Sequence, residues 1–365
     1  MTRMRRIAMR RPVMFSTPFA LGLLSTVLIV VGTDVRADEI SLKPDAVPKG
    51  GSIRLVGTIL AESPAAVRIQ TTAGTTDVPL GQIDSITYTG QPAGLSQGRI
   101  RDRAGDPIGA LELYGKAVAE VGSATTPVAA AARFGQASAQ ARLAESDPGA
   151  RAQAFKMLDS FVTTFPSSRQ LGPALEAIVR LSIAADDVPR AEAAATRMAS
   201  IPSLADRAAM LQARVMVKKG DTDAALKKLE PLVAAAKKGT PGAVELGLAQ
   251  AETLSAAGRA SEAEAAARAV IAACPPEQAD VQALAHNTLG DCLRASGKLK
   301  DALLAYLKTD ILYDEDREQH ARALSRIAQL WRQLGQPERA DEAAARLRET
   351  YPMSPFTLAI DKPGA

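Results

Sequence analysis

Residues 283–316 read ALAHNTLGDCLRASGKLKDALLAYLKTDILYDED. Apolar residues recur there every three or four positions, the period of an amphipathic helix. Ser296-Gly297-Lys298 breaks the pattern, and a second helical pattern follows. A glycine at that place takes the left-handed conformation that ends a helix and turns the chain back. Ala302 then stands one turn into the second helix, where a larger side chain would hold the two helices apart.

The same five-residue step from glycine to alanine recurs as Gly105/Ala110, Gly220/Ala225, Gly258/Ala263 and Gly335/Ala340. Asp186/Ala191 is a further copy in which aspartate replaces the glycine. Self-similarity on this scale is the mark of a stacked repeat array. In the quoted copy, Leu289-Gly290, Leu293, Gly297, Ala302 and Tyr306 occupy the places that define a tetratricopeptide repeat, and the segment resembles that family. The last copy matches with Ile327-Ala328, Trp331, Gly335, Ala340 and Tyr351-Pro352. The best copy departs by carrying Asp314 where the family closes on proline. Successive copies are also offset by 38 or 39 residues (220 to 258, 258 to 297, 297 to 335), longer than the family period of about 34. A unit near 127–166 is irregular, with the long turn ESDPGA in place of the glycine-to-alanine step.

The resemblance implies a mainly α fold, with about seven helix pairs stacked as a solenoid over 91–354. No single pair buries its own apolar stripe, so neighbours must share a core. It also implies a concave surface lined by the first helix of each pair, able to hold an extended peptide or a helix of a partner protein. The first-helix positions expected to face that groove are Asn287, Asp291 and Arg294 in the best copy. In the last copy they are Arg322, Ser325, Arg326, Gln329 and Arg332. Earlier copies place Arg207, Met210, Arg214, Lys218, Glu245 and Glu252 there. A stripe of Arg322, Arg326 and Arg332 would suit an acidic partner. The lysine and asparagine arrangement that clamps a C-terminal carboxylate is not found on successive copies. Trp331 occupies a core place.

Before the array the period falls to two. Ile53, Leu55, Gly57 and Ile59 alternate with Arg54, Val56, Thr58 and Leu60, and Val67 and Ile69 alternate with Arg68 and Gln70. Lys49-Gly50-Gly51, Ser63-Pro64, Ala73-Gly74 and Gly81 separate the runs. These are strand and hairpin signals, giving five short strands within 38–90. Their pattern resembles a small SH3-like or Sm-like β-barrel, with a helical turn at Gly81–Asp84 before the last strand. With Tyr88 its only aromatic residue, the module reads as a packing or docking unit against the array.

The first 37 residues read as an export signal. Arg3 to Arg11 form a basic start, Val13–Val31 is an uncharged, mostly apolar run, and Val35-Arg36-Ala37 offers a cleavage site after Ala37. The competing reading is an uncleaved inner-membrane anchor, because the run is just long enough to span a bilayer. The expected location is therefore the periplasm or cell envelope, with membrane contact only if the leader stays. The chain carries 44 basic and 40 acidic side chains, a net +4, but the leader holds six arginines and one acid. The remainder is near neutral, which removes the electrostatic support for nucleic-acid binding.

Catalytic signals are missing from the sequence. The two histidines, His286 and His320, stand apart: His286 early on a first helix, His320 in an acidic linker that reads as a solvated turn. Cys274 and Cys292 read as two small buried or half-buried thiols on neighbouring segments, too far apart to bridge. No metal site, cofactor or catalytic residue is expected. The expected role is that of a scaffold for other proteins, or, with the leader uncleaved, a membrane-anchored envelope assembly factor. Residues 355–365 are expected to be a flexible tail.

Overall fold

Positive backbone φ angles fall where the sequence places its turns: Gly105 (73°), Gly220 (86°), Gly258 (72°), Gly297 (76°) and Gly335 (73°). Asp186 (57°) is the one non-glycine residue of this kind among the described residues, at the place where aspartate substitutes for glycine. After each turn residue the next amide donates back to the carbonyl five positions earlier, as in Asp187 to Ser182 (2.9 Å) and Lys298 to Leu293 (2.9 Å). This is the Schellman closure of a helix. The partner alanines, Ala110, Ala191, Ala225, Ala263, Ala302 and Ala340, are all fully buried. The two halves of the repeating step thus do separate jobs: one reverses the chain, the other lets the helices approach.

The structure, a computed structural model, describes residues 37–47, 51–237 and 239–360. The proposed leader up to residue 36 and the last five residues lie outside the described residues. Seven helix pairs follow one another: α1 (Ala93–Arg103) with α2 (Pro107–Val121), α3 (Pro127–Ser146) with α4 (Arg151–Thr164), and α5 (Leu171–Ala184) with α6 (Val188–Ala199). Then come α7 (Ala205–Lys218) with α8 (Thr222–Ala235), α9 (Pro241–Ala256) with α10 (Ala260–Ala273), α11 (Ala279–Ala295) with α12 (Leu299–Leu312), and α13 (Arg317–Gln333) with α14 (Pro337–Thr350). Each helix touches the next, and the first helices also touch one another: α5 meets α7, α7 meets α9, α9 meets α11 and α11 meets α13. The irregular unit is α3–α4. Its turn is a short 3-10 segment at Pro148–Ala150, started by the Asp147 carboxylate accepting from the Gly149 amide.

Ahead of the array, strands β1 (Asp38–Leu42), β2 (Arg54–Glu62), β3 (Ala66–Thr71), β4 (Gly74–Pro79) and β5 (Ile83–Thr87) form one antiparallel sheet in the order β4-β3-β2-β1-β5. The 3-10 turn before β5 spans Leu80–Gln82. The sheet is open, and here the expectation of a closed barrel is corrected: no ladder joins β4 to β5. Helices supply the closure instead. Ile40, Val67, Ile69, Val78 and Ile86 share one buried cluster with Leu95 of α1 and Tyr114 of α2. A polar tie reaches further along the array. Tyr88 donates to Glu62 (2.5 Å), and Arg169, in the α4–α5 connection, lies 3.4 Å from both side chains. Burial pushes the Glu62 carboxyl up, against the pull of Arg169 and Tyr88.

Two further expectations are corrected. Residues 355–360 are not a loose tail but a helix, α15 (Pro355–Ile360), with Thr357 and Ile360 buried. His320 is not in a solvated linker. Asp316 caps α13 by accepting from the amides of Glu318 and Gln319 (3.0 Å each), so the helix begins before His320 and carries it into the interior. Cys274 and Cys292 are both buried thiols, and burial raises both, Cys292 to about 11.

Candidate functional site

The inner surface of the array is built from helical spacing. On α7, Arg207, Met210 and Arg214 stand at i, i+3 and i+7, and on α9 so do Glu245, Leu248 and Glu252. Each trio therefore shares one helix face. Facing each other one repeat apart, they form ion pairs across the helices. Arg207 donates from Nε and Nη2 to Glu176 of α5 (2.9 Å each) and from Nη1 to Glu245. Arg214 pairs with Glu252 (3.1 Å), and Arg180 with Glu145 of α3 (2.9 Å). Burial works against the charge on Arg207, but Glu176 and Glu245 more than offset it and hold its proton more tightly than usual.

Between these pairs the floor is apolar. Met210, Leu211, Leu248 and Leu284 line an open cleft of about 300 Å³, bordered by the first helices α5, α7, α9, α11 and α13. Gln319 and Arg322 of α13 close its far side, opposite Glu176 and Arg180. Thr288 also lines it, with a buried hydroxyl that has no partner. The result is a groove with apolar side chains at its floor and paired charges along its sides.

The residues expected from the best and last copies divide. Arg322 lines the groove and is held by Asp291. Asp291 is a hub: it accepts from Tyr306 (2.6 Å) and also holds Arg326 (3.7 Å). Asn287 is fully buried, donating to the backbone and side chain of Gln319 (2.9 and 3.0 Å), and Ser325 is buried too. Both are corrected from groove positions to helix-packing positions. Gln329 accepts from Arg326 (2.9 Å), and Arg332 turns outward to Asp341 of α14 (3.5 Å). Arg294 is half-buried, its Nε without a partner. The supposed stripe of Arg322, Arg326 and Arg332 is therefore no single face: two members converge on Asp291 and the third leaves. Glu176, Arg180, Leu248, Leu284, Thr288 and Gln319 line the groove although no sequence reading singled them out. One signal was available: Arg207/Glu245 and Arg214/Glu252 are both 38 residues apart, the spacing of neighbouring copies.

The histidines serve the fold. His320 Nδ1 lies 2.7 Å from the Tyr351 hydroxyl and Nε2 lies 2.8 Å from Asp310, which also accepts both arms of Arg346. His286 is buried against the Tyr313 ring, its Nδ1 without a partner. Burial, with help from Lys308 and Arg268, depresses it to about 4. A histidine that resists protonation when folded contributes its full stability above its unfolded value of about 6.5. That contribution is lost as the pH falls toward 4, by on the order of 3 kcal/mol in all. Urea unfolding at pH 7.5 and pH 5 should show this loss in the native chain and a smaller one in His286→Leu. Equal pH slopes in the two proteins would remove His286 as the cause. Among the described residues no group of three histidine, cysteine or acidic side chains is placed to hold a metal.

No protein-family profile matches the chain, and no curated protein matches it. Solved structures with the same general build do. A tetratricopeptide repeat protein from Parabacteroides merdae is 13% identical, over 74% of this chain and 98% of its own, at a TM-score of 0.44. A Rap protein complexed with competence and sporulation factor is 12% identical, over 71% of this chain and 76% of its own, at 0.45. PilW, a widely conserved type IV pilus biogenesis factor, is 16% identical, over 62% of this chain and 98% of its own, at 0.38.

Proposed function

We propose that this protein is a non-enzymatic scaffold of the periplasm or cell envelope, which holds a peptide or helix of a partner protein in the concave groove of its array. The observation that carries this reading is the groove itself: the apolar floor of Met210, Leu248 and Leu284 between rails of paired charge. The pairing also speaks against catalysis. Arg207, Arg214, Arg180 and Arg322 each hold a carboxylate, so these acids are neutralised by a neighbour rather than poised as a base.

The leader supports export, and the sheet supports its boundary. β1 begins at Asp38, the first residue after the proposed cleavage point, and its carboxylate accepts from the amides of Ile59 and Thr89 (2.8 Å each). Cleavage after Ala37 would thus leave β1, which joins β2 to β5, whole. The second reading keeps the leader as an inner-membrane anchor with the array as its soluble arm. The intact mass of the protein from its native host separates the two: a chain starting at Asp38 supports the first, a retained leader the second.

The groove is tested by affinity recovery from the native host with the full mature chain. Arg180→Glu/Arg214→Glu should lower recovery of the bound partner about tenfold or more, as loss of central contacts does. Leu304→Glu, on the outward face of α12, should leave it unchanged. The opposite ranking would place the partner on the convex side.

A further inference from the structure

Where α15 comes back onto α3, a half-open cleft of about 340 Å³ lies between the two ends of the array. Its walls come from four parts of the chain: the first pair, α3, the start of α13, and the 351–356 segment that leads into α15. It shares no lining residue with the groove. Pro107, Tyr114, Tyr351, Pro355 and Phe356 give it apolar and aromatic surface, the usual lining of a small-molecule site.

Most charged side chains around this lining are already engaged. Asp102 pairs with Arg142 and accepts from the Tyr114 hydroxyl (3.3 Å). Glu145 is held by Arg180 (2.9 Å), and Asp316 caps α13. Arg99 donates to the Ile86 carbonyl (2.6 Å), and Arg317 lies over the Tyr351 ring (4.8 Å). Two charges remain. Arg103 of α1 and Glu318 of α13 line the cleft without an ion-pair partner among the described residues, and they do not pair with each other. The fields of both reach its walls: Arg103 acts on Arg99 and Tyr114, and Glu318 acts on Arg142 and Glu145. A third loose end is the Nε of Arg142, buried and without an acceptor. A buried donor left in that state costs stability, which an incoming acceptor restores.

A free cation on one wall, a free anion on another and an aromatic surface between them complement a ligand that carries both charges and an apolar body. An anion alone would leave Glu318 facing a like charge, and a cation alone would do the same to Arg103. We propose that this cleft binds a small zwitterion of the amino-acid kind with a large apolar side chain. Its carboxylate sits against Arg103 and the Nε of Arg142, its ammonium against Glu318, and its side chain on Tyr114 and Phe356. Arg103 and Glu318 are long and exposed, so both can turn onto the ligand from their own walls. The bound ligand touches the first and the last pair at once.

The site stands or falls apart from the groove. Saturation-transfer NMR on the full mature chain tests it at slightly acid pH with three probes that differ in charge. These are phenylalanine, phenylalaninamide, which lacks the carboxylate, and phenylpropionate, which lacks the ammonium. Phenylalanine should bind about tenfold or more tightly than either of the others. Arg103→Ala should weaken phenylalanine about tenfold without weakening phenylalaninamide. Glu318→Ala should weaken phenylalanine to a similar degree without weakening phenylpropionate. Neither side chain has an ion-pair partner in the fold, so both variants should keep native helix content. Equal affinity for the three probes, or no saturable signal from phenylalanine, would overturn the proposal. So would a phenylalanine affinity that neither variant changes.

Discussion

Tyr306→Ala should cost the C-terminal pairs about 4 kcal/mol, within the range for removing a buried aromatic ring. Tyr306 is fully buried. Its ring lies where the side chain of residue 290 would be: a Cβ built on Gly290 would come within 2.7 Å of it. Leu289-Gly290 and Tyr306 are thus one device, a notch in the first helix filled by a wedge from the second. The wedge also carries a polar task, because its hydroxyl donates to Asp291 (2.6 Å), and Asp291 holds Arg322 at the groove wall. Tyr306→Phe keeps the wedge and drops the hydrogen bond, so about 1 kcal/mol is expected. Urea unfolding followed by circular dichroism reads both values. Native-state hydrogen exchange should localise the loss to α11–α13, since repeat arrays open locally. A loss below about 1 kcal/mol for the alanine variant would show that the notch closes without its wedge.

Asp310→Ala should cost about 3 kcal/mol, the low end for breaking a buried charged pair. Asp310 is nearly inaccessible and ties three helices together: it lies on α12, His320 on α13 and Arg346 on α14. Arg346 is 56% exposed and can return to water, so most of the cost comes from His320, which is left buried with one nitrogen unpaired. Burial alone would raise the Asp310 carboxyl, but hydrogen bonds from His320 and Arg346 outweigh it and hold the carboxyl below its usual range. A depressed carboxyl contributes stability above its unfolded value of about 4 and loses it as the pH falls through the folded value. The gap in stability between the native chain and Asp310→Asn should therefore be full at pH 7 and narrow below about pH 4. A gap that is constant down to pH 3 would mean that the charge on Asp310 is not what matters.

The turns and the close helix crossings were legible because each depends on one residue. A left-handed turn demands glycine or a residue that tolerates its conformation, and Asp186 could be read as such by position alone. The crossing alanines were legible for the same reason. What faces a helix across space is not written locally. Spacing correctly placed Arg322 and Arg326 on one face, but not the fact that Asp291 would receive both. Asn287 and Ser325 looked like groove residues because polar side chains on a first helix suggest water; here α11 and α13 approach and bury them. His320 looked solvated because four acids surround it in sequence, yet one of them, Asp316, caps the helix that takes it inside. The contact of α15 with α3 was not legible at all, since it depends on the twist accumulated over the intervening pairs rather than on any one of them.

Site-specific photo-crosslinking in the native host is the most direct probe of the groove. A photoreactive amino acid is placed at Arg214 or Glu252, which line the cleft, and at Leu304 or Ile311, which are exposed on α12. A protein adduct from the groove positions, absent from the α12 positions, is the expected result. Adducts from α12 with none from the groove would contradict it and turn the binding surface inside out.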